Sequence, residues 1–144
     1  MAGIVHISEM VSLALHSMIY IAKQEKEVVN SKEIAEATGC SEAHLVKVLQ
    51  RLVRAEFLYS QRGPKGGFGL LKPAHEITLL EIFQEIEGPL EMSECPMNHR
   101  KCLFKDCIFG GMPQQLNQFA IEYLRSKKVS DFIREEASSR RVCN

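Results

Sequence analysis

What this sequence lacks narrows its possibilities first. It has no net charge, because 18 Lys and Arg stand against 18 Asp and Glu, so no overall field announces an anionic partner. No apolar run reaches the roughly 18 residues that a membrane-spanning helix needs. The best stretch, "VSLALHSMIYIA", is short and interrupted by His16. The opening "MAGIVHISEM" carries neither a basic region nor a cleavage pattern, so no signal peptide is expected and the expected compartment is the cytoplasm. Disulfides are rare there, and the five cysteines, an odd number, cannot all pair. Metal or redox chemistry rises in their place. There is no CxxC knuckle, which disfavours a zinc ribbon, and no internal repeat or low-complexity segment. The glycine-rich "GPKGG" lacks the GK[ST] ending of a phosphate loop. No nucleophile–base–acid set can be assembled, so no enzyme is expected, and a thiol oxidoreductase is the remote alternative.

The 144 residues suffice for one domain with a real core, extended by a helical arm. The expected class is mostly α with a small β-hairpin wing: a winged helix-turn-helix domain plus a long C-terminal helix. Ser8 to Lys23 reads as an amphipathic helix, since Val11, Leu15, Met18, Ile19 and Ala22 recur at helical spacing. Asn30 or Ser31 can cap a short helix, with Glu33 placed to close a capping box from Asn30. Ser41 caps the next, whose apolar stripe is Leu45, Val48, Leu49, Leu52 and Val53. Only "TGC" separates the two, the short glycine-containing joint of a helix-turn-helix. Then "LYSQ" and "FGLL" read as two strands joined by "RGPKGG". Thr78 and Glu81 are placed to form a capping box for a further helix ended by Gly88-Pro89. Pro113 suits the first turn of a long helix running to Lys128. The tail "SDFIREEASSRRVCN" is expected to add a turn or two and then fray.

Charge is segregated along the chain. From Ser41 to Lys72 there are six Lys and Arg against two Glu, and from His75 to Glu94 there are six Glu and no Lys or Arg. A neutral total therefore hides a basic module followed by an acidic one. The second helix of a helix-turn-helix lies in the major groove with its N-terminal residues near base edges. Here that end offers Ser41, Glu42, Ala43, His44 and Lys47, and the outward face continues with Arg51 and Arg54. The hairpin tip offers Arg62 and Lys65, while Gly66 and Gly67 would let the backbone approach a phosphate. Arginine suits the enhanced negative potential of a narrow minor groove. Each lone cation could equally be a solvated surface group; their conjunction favours double-stranded DNA as the partner.

Cys95, Cys102 and Cys107 fall in one polar loop, separated by six and four residues. Thiolates are soft ligands that suit iron–sulfur clusters, zinc or copper(I). Arg100, Lys101 and Lys105 would lower their pKa values and offset the charge of a thiolate centre. Packing as small hydrophobes is the alternative, and it suits so polar a loop poorly. Cys40, in the joint, reads as a buried small hydrophobe, and Cys143 as incidental.

The run from "SKEIAEATGC" to "EIFQEIEG", above all "RGPKGGFGL" followed by "EIT", resembles the DNA-binding domain of the IscR/NsrR-type (Rrf-type) bacterial regulators. The resemblance extends over nearly the whole chain, including "SLALHSMIYIA". It implies a dimeric winged-helix transcriptional regulator, expected to be a repressor that senses redox state, nitric oxide or iron–sulfur status. By it, Ser41, Ala43, His44 and Lys47 fall where the family reads bases, and Arg62 where the wing enters the minor groove. Cluster-binding members carry three cysteines in the same loop, evenly spaced, whereas the middle one here is displaced by a residue. The implied cofactor is an iron–sulfur cluster, [2Fe–2S] or [4Fe–4S], on Cys95, Cys102 and Cys107. The family's histidine beyond the last cysteine falls on Gly110, and its carboxylate on the partner's first helix falls on Ser12. The fourth ligand is expected at His16, with His99 second. The same scaffold without a cluster, sensing by bare thiols, zinc or a protein partner, is the alternative. The resulting division is residues 1–90 for DNA binding, 91–111 for the cysteine loop and 112–144 for the dimerisation helix and tail. A homodimer would read a pseudo-palindrome.

Overall fold

The computed structural model describes residues 5–90, residue 95 and residues 102–133 of the chain. Three helices open it: α1 (Glu9–Lys23), α2 (Ser31–Thr38) and α3 (Glu42–Arg54). Each begins at the residue whose side chain can satisfy an orphan amide. Ser8 accepts from the Val11 amide, Asn30 from Glu33 and Ser41 from His44. The Glu33 carboxylate does not turn back to close a capping box. It accepts instead from the Tyr20 hydroxyl of α1 (3.2 Å) and from Lys26 (3.1 Å), tying α1 to α2. Burial, with Glu33 adding to it, raises the Tyr20 phenol above its usual pKa. α2 stops at Gly39, whose φ of 69° is the left-handed conformation that costs glycine little. Only Cys40 and Ser41 separate it from α3, so the joint is as short as the sequence indicates.

The hairpin follows as β1 (Leu58–Gln61) and β2 (Gly67–Leu70), antiparallel, with Leu58 opposite Leu70 and Gln61 opposite Gly67. β2 starts one residue earlier than the "FGLL" reading. Pairing with Gln61 of β1 brings Gly67 into the strand, and Phe68 exchanges both backbone hydrogen bonds with Val29 (2.9 and 2.8 Å), tying the hairpin to the α1–α2 connection. Gly67 lies where that connection passes closest. A Cβ there would stand 2.3 Å from the Val29 carbonyl oxygen, so no larger residue fits without moving backbone.

A short 3₁₀ turn (Ala74–Glu76) leads into α4 (Leu79–Glu87), where the expected capping box forms. Thr78 Oγ1 accepts from the Glu81 amide at 3.2 Å, and Glu81 Oε2 accepts from the Thr78 amide at 2.8 Å. α5 (Met112–Ser126) begins at Met112 with Pro113 second, and a 3₁₀ turn (Val129–Phe132) closes the described chain. That last turn is more than fraying tail. The Val129 amide donates to Ile77 (3.0 Å), Leu79 donates to Lys127 (2.9 Å), and the Val129 side chain is fully buried. The rest of the tail lies outside the described residues, as do His99 and Cys143.

One core joins these pieces. Val11, Ala14, Met18 and Ile21 of α1 meet Ile34 of α2, Leu45, Val48, Leu49 and Leu52 of α3, Leu58 of β1 and Ile82 of α4. Burying each such large aliphatic side chain stabilises by roughly 1.5–3 kcal/mol relative to exposure. α5 is different. None of its residues is buried, and Phe119 and Tyr123 stay 71% and 47% exposed. Leu116, Ala120 and Leu124 line a groove against Phe83 of α4, so the apolar content of α5 is divided between its own chain and solvent.

Candidate nucleic-acid interface

Helical geometry fixes what α3 can present. At about 100° per residue, the stripe opposite a core face repeats every three or four positions. The core face is Leu45, Val48, Leu49 and Leu52. Opposite it stand Ala43, Lys47, Gln50 and Arg54, each exposed. Ser41 and Glu42, at the helix start, are exposed as well. This stripe offers two cations, one amide and one methyl group, with the free end of the helix in front of it.

Two sequence-named residues lie off that stripe. Arg51 turns to α4: its Nη2 donates to the Glu85 carbonyl at 2.7 Å, and Nε lies 4.0 Å from the Glu85 carboxylate. It therefore braces α3 against α4, whereas the sequence reading placed it on the outward face. The reason is angular, since Arg51 sits on the flank that α4 covers. His44 lies off the exposed stripe too, half-buried, with Nε2 shielded and lacking a hydrogen-bond partner among the described residues. Its ring as placed offers little edge to a base.

The wing tip carries Arg62 and Lys65, both exposed. Gly66 and Gly67 are each needed by the fold itself. The Gly66 amide closes the turn on Gly63 at 2.9 Å, and a Cβ at Gly66 would strike the Gln61 carbonyl oxygen at 2.1 Å. Between the wing, α2 and α3 runs a cleft lined by Ser31, Lys32, Glu42, Gln50, Arg62 and Phe68. In it the Ser31 hydroxyl donates to Glu42 at 2.5 Å. Sequence reading missed Gln50, which carries no charge to draw attention. Its spacing, seven residues after Ala43 and three after Lys47, was the available signal.

Three of the cysteines fall between α4 and α5 in chain order. None of Cys40, Cys95, Cys102 and Cys107 is in a disulfide. Cys102 and Cys107 are exposed, and Cys95 is half-buried. Cys40 packs against the core, with Thr38 Oγ1 3.2 Å from its sulfur. His16 is exposed on α1 in the groove facing α2, and its Nδ1 donates to the Ser12 carbonyl at 2.6 Å. A carbonyl oxygen can only accept, so that bond places the proton on Nδ1 and leaves Nε2 as the acceptor nitrogen of the ring. Yet among the described residues no three His, Cys, Asp or Glu side chains gather closely enough to hold a metal ion. The donor chemistry suits a thiophilic centre; the placement within one chain does not assemble it. No helix among the described residues is long and apolar enough to cross a membrane.

Comparison with known proteins agrees with this layout. The Rrf2 family model, described as an iron-dependent transcriptional regulator, matches residues 7–135. Protein aau3 of Rhizobium meliloti (strain 1021) is 35% identical over 131 residues, covering 89% of this chain and 84% of that protein. The HTH-type transcriptional regulator NsrR of Oceanobacillus iheyensis is 37% identical over 83 residues, 57% of this chain and 56% of its own length. Among solved structures, CymR (YrzC), the global cysteine regulator of B. subtilis, superposes with a TM-score of 0.72 at 25% identity, covering 90% of this chain and 97% of that one. With helix-turn-helix, wing and long C-terminal helix in place and a family match over most of its length, the chain belongs to the Rrf2 family of DNA-binding transcriptional regulators.

Proposed function

We propose that this regulator binds a pseudo-palindromic operator as a homodimer, acts as a repressor, and adjusts its binding through the cysteine loop. The exposed stripe of α3, with Arg62 and Lys65 on the adjoining wing tip, carries the reading. α3 would enter the major groove, where Lys47, Gln50 and Arg54 reach base edges or flanking phosphates and Ala43 can meet a thymine methyl group. Arg62 would enter the neighbouring minor groove. Two such units are needed because one helix reads only a short site. The exposed Phe119 and Tyr123 of α5 support this helix as the surface that would pair them.

For the sensor, Cys95, Cys102 and Cys107 are the residues that would hold an iron–sulfur cluster, with His16 or His99 as fourth ligand. Bound there, such a cluster would supply a centre responsive to oxidation, nitric oxide or iron supply. One chain does not bring three ligands together among its described residues, so no step of DNA recognition is routed through the cluster. An exposed His16 on α1 suits a ligand donated across the dimer. The exposure of Cys102 and Cys107, with the likeness to CymR, favours a second reading: the same scaffold sensing by bare thiols, zinc or a protein partner. Anaerobic purification separates them. Visible absorption with iron and acid-labile sulfide, lost in Cys102→Ala and Cys107→Ala, is the expected result. A colourless protein that takes up no iron on anaerobic reconstitution overturns the cluster and leaves the second reading.

A further inference from the structure

Among the cations of the reading surface stands one carboxylate held in place. Glu42 is the first residue of α3, the end of a recognition helix that meets base edges. Its side chain is exposed, yet it is fixed by the 2.5 Å hydrogen bond from Ser31 on the first turn of α2. It lines the cleft that also holds Lys32, Gln50 and Arg62. Among the described residues it forms an ion pair with neither cation. A favourable place beside the helix dipole accounts for an acidic residue in a first turn. It does not account for a carboxylate held from a second helix on a surface that must approach phosphates, where an idle negative charge weakens binding.

We propose that Glu42 is a base-selecting residue that requires a cytosine at one position of each half-site, with Ser31 as its positioning residue. The inference rests on the DNA-reading assignment above. An ionised carboxylate only accepts hydrogen bonds, and after taking the Ser31 hydroxyl it retains acceptor capacity. In the major groove, guanine presents two acceptors and thymine one acceptor and a methyl group, so both repel it. Adenine offers its amino group beside the N7 acceptor, which again faces the carboxylate. Cytosine presents the N4 amino donor with no neighbouring acceptor on its own edge, and it alone suits Glu42. Glu42 thereby costs affinity for DNA in general and returns it at the right base.

The test is selection of sites from a random duplex library by the purified full-length wild type and by Glu42→Gln, Glu42→Ala and Ser31→Ala, followed by titration of single-position variants. The wild type should enrich cytosine at one position per half-site, with other bases there weakening binding roughly 5- to 100-fold. Glu42→Gln should move that position to adenine, because an amide pairs with N6 and N7 together. Glu42→Ala should make it indifferent, and Ser31→Ala should blunt the cytosine preference there and nowhere else. Thermal melts of the variants confirm that they are folded. An unchanged Glu42→Gln profile beside a specific wild type overturns the inference and spares the DNA-reading assignment. A rise in affinity that is equal on every sequence also overturns it, since Glu42 would then be only a repulsive charge. A wild type that enriches no sequence sinks that assignment, and the inference with it.

Discussion

At the scale of single residues, the wing tip and the face of α3 make separable predictions. Arg62 and Lys65 share the exposed wing tip, and the proposed reading gives them different roles: a groove contact for the first, a phosphate contact for the second. Replacing Arg62 with alanine should weaken specific binding by roughly 1–3 kcal/mol and relax the sequence preference beside the main contacts. Replacing Lys65 with alanine should weaken binding nearly uniformly and lower the slope of log K against log salt by about 1. Anisotropy titrations at several salt concentrations on specific and scrambled duplexes distinguish the two. If Arg62→Ala leaves specific affinity unchanged, Arg62 does not belong to the reading surface. Arg51 makes the contrast sharper. It is a cation on the same helix as Lys47 and Arg54, but its guanidinium is bonded to the Glu85 carbonyl, so charge alone was a poor guide to which cations face outward.

At the scale of elements, α4 holds the reading helix through that bond, and α4 itself is set by its capping box. Thr78→Ala removes the acceptor for the Glu81 amide and should cost about 1 kcal/mol of stability, read as a lower midpoint in denaturant at unchanged slope. An unaltered midpoint would mean that the bridge between Thr78 and Lys128 holds this end without the cap. The helix starts were legible in the sequence because a cap is a local event: Ser8, Asn30, Ser41 and Thr78 each act within three residues of themselves. The core stripe of α3 was legible for a similar reason, as periodicity is local too. What sequence could not give were the events that join distant segments. Val29 pairs with Phe68 across the sequence, Val129 returns to the core after α5, and Arg51 bonds to Glu85 of α4. Gly66 and Gly67 were legible as special positions and not as to why. The lack of a side chain that suits approach to a phosphate also admits the Val29 carbonyl beside Gly67, a contact between segments distant in sequence.

At the scale of the whole molecule, the distribution of apolar surface argues for a second copy. A monomer with a sufficient core has no reason to leave a helix of 15 residues without one buried side chain. Phe119 and Tyr123 lie one turn apart on α5, and Leu103, Phe104 and Ile108 of the preceding cysteine loop are exposed as well. A dimer closed by this face would place the loop beside the interface, so a change at the thiols could alter the angle between two α5 helices and hence the spacing of two α3 helices. Charge placed on that face tests the arrangement. Phe119→Glu with Tyr123→Glu buries two carboxylates per chain if the face pairs, and a buried unpaired charge is costly enough to separate the subunits. Sedimentation should then show a monomer whose far-ultraviolet dichroism is little changed, since α5 contributes nothing fully buried to its own chain. Binding to a duplex carrying two half-sites should fall towards that for one half-site, with the loss concentrated in the cooperative part of the isotherm. A double variant that remains dimeric and binds both half-sites as before would place the dimer interface elsewhere and detach the cysteine loop from it.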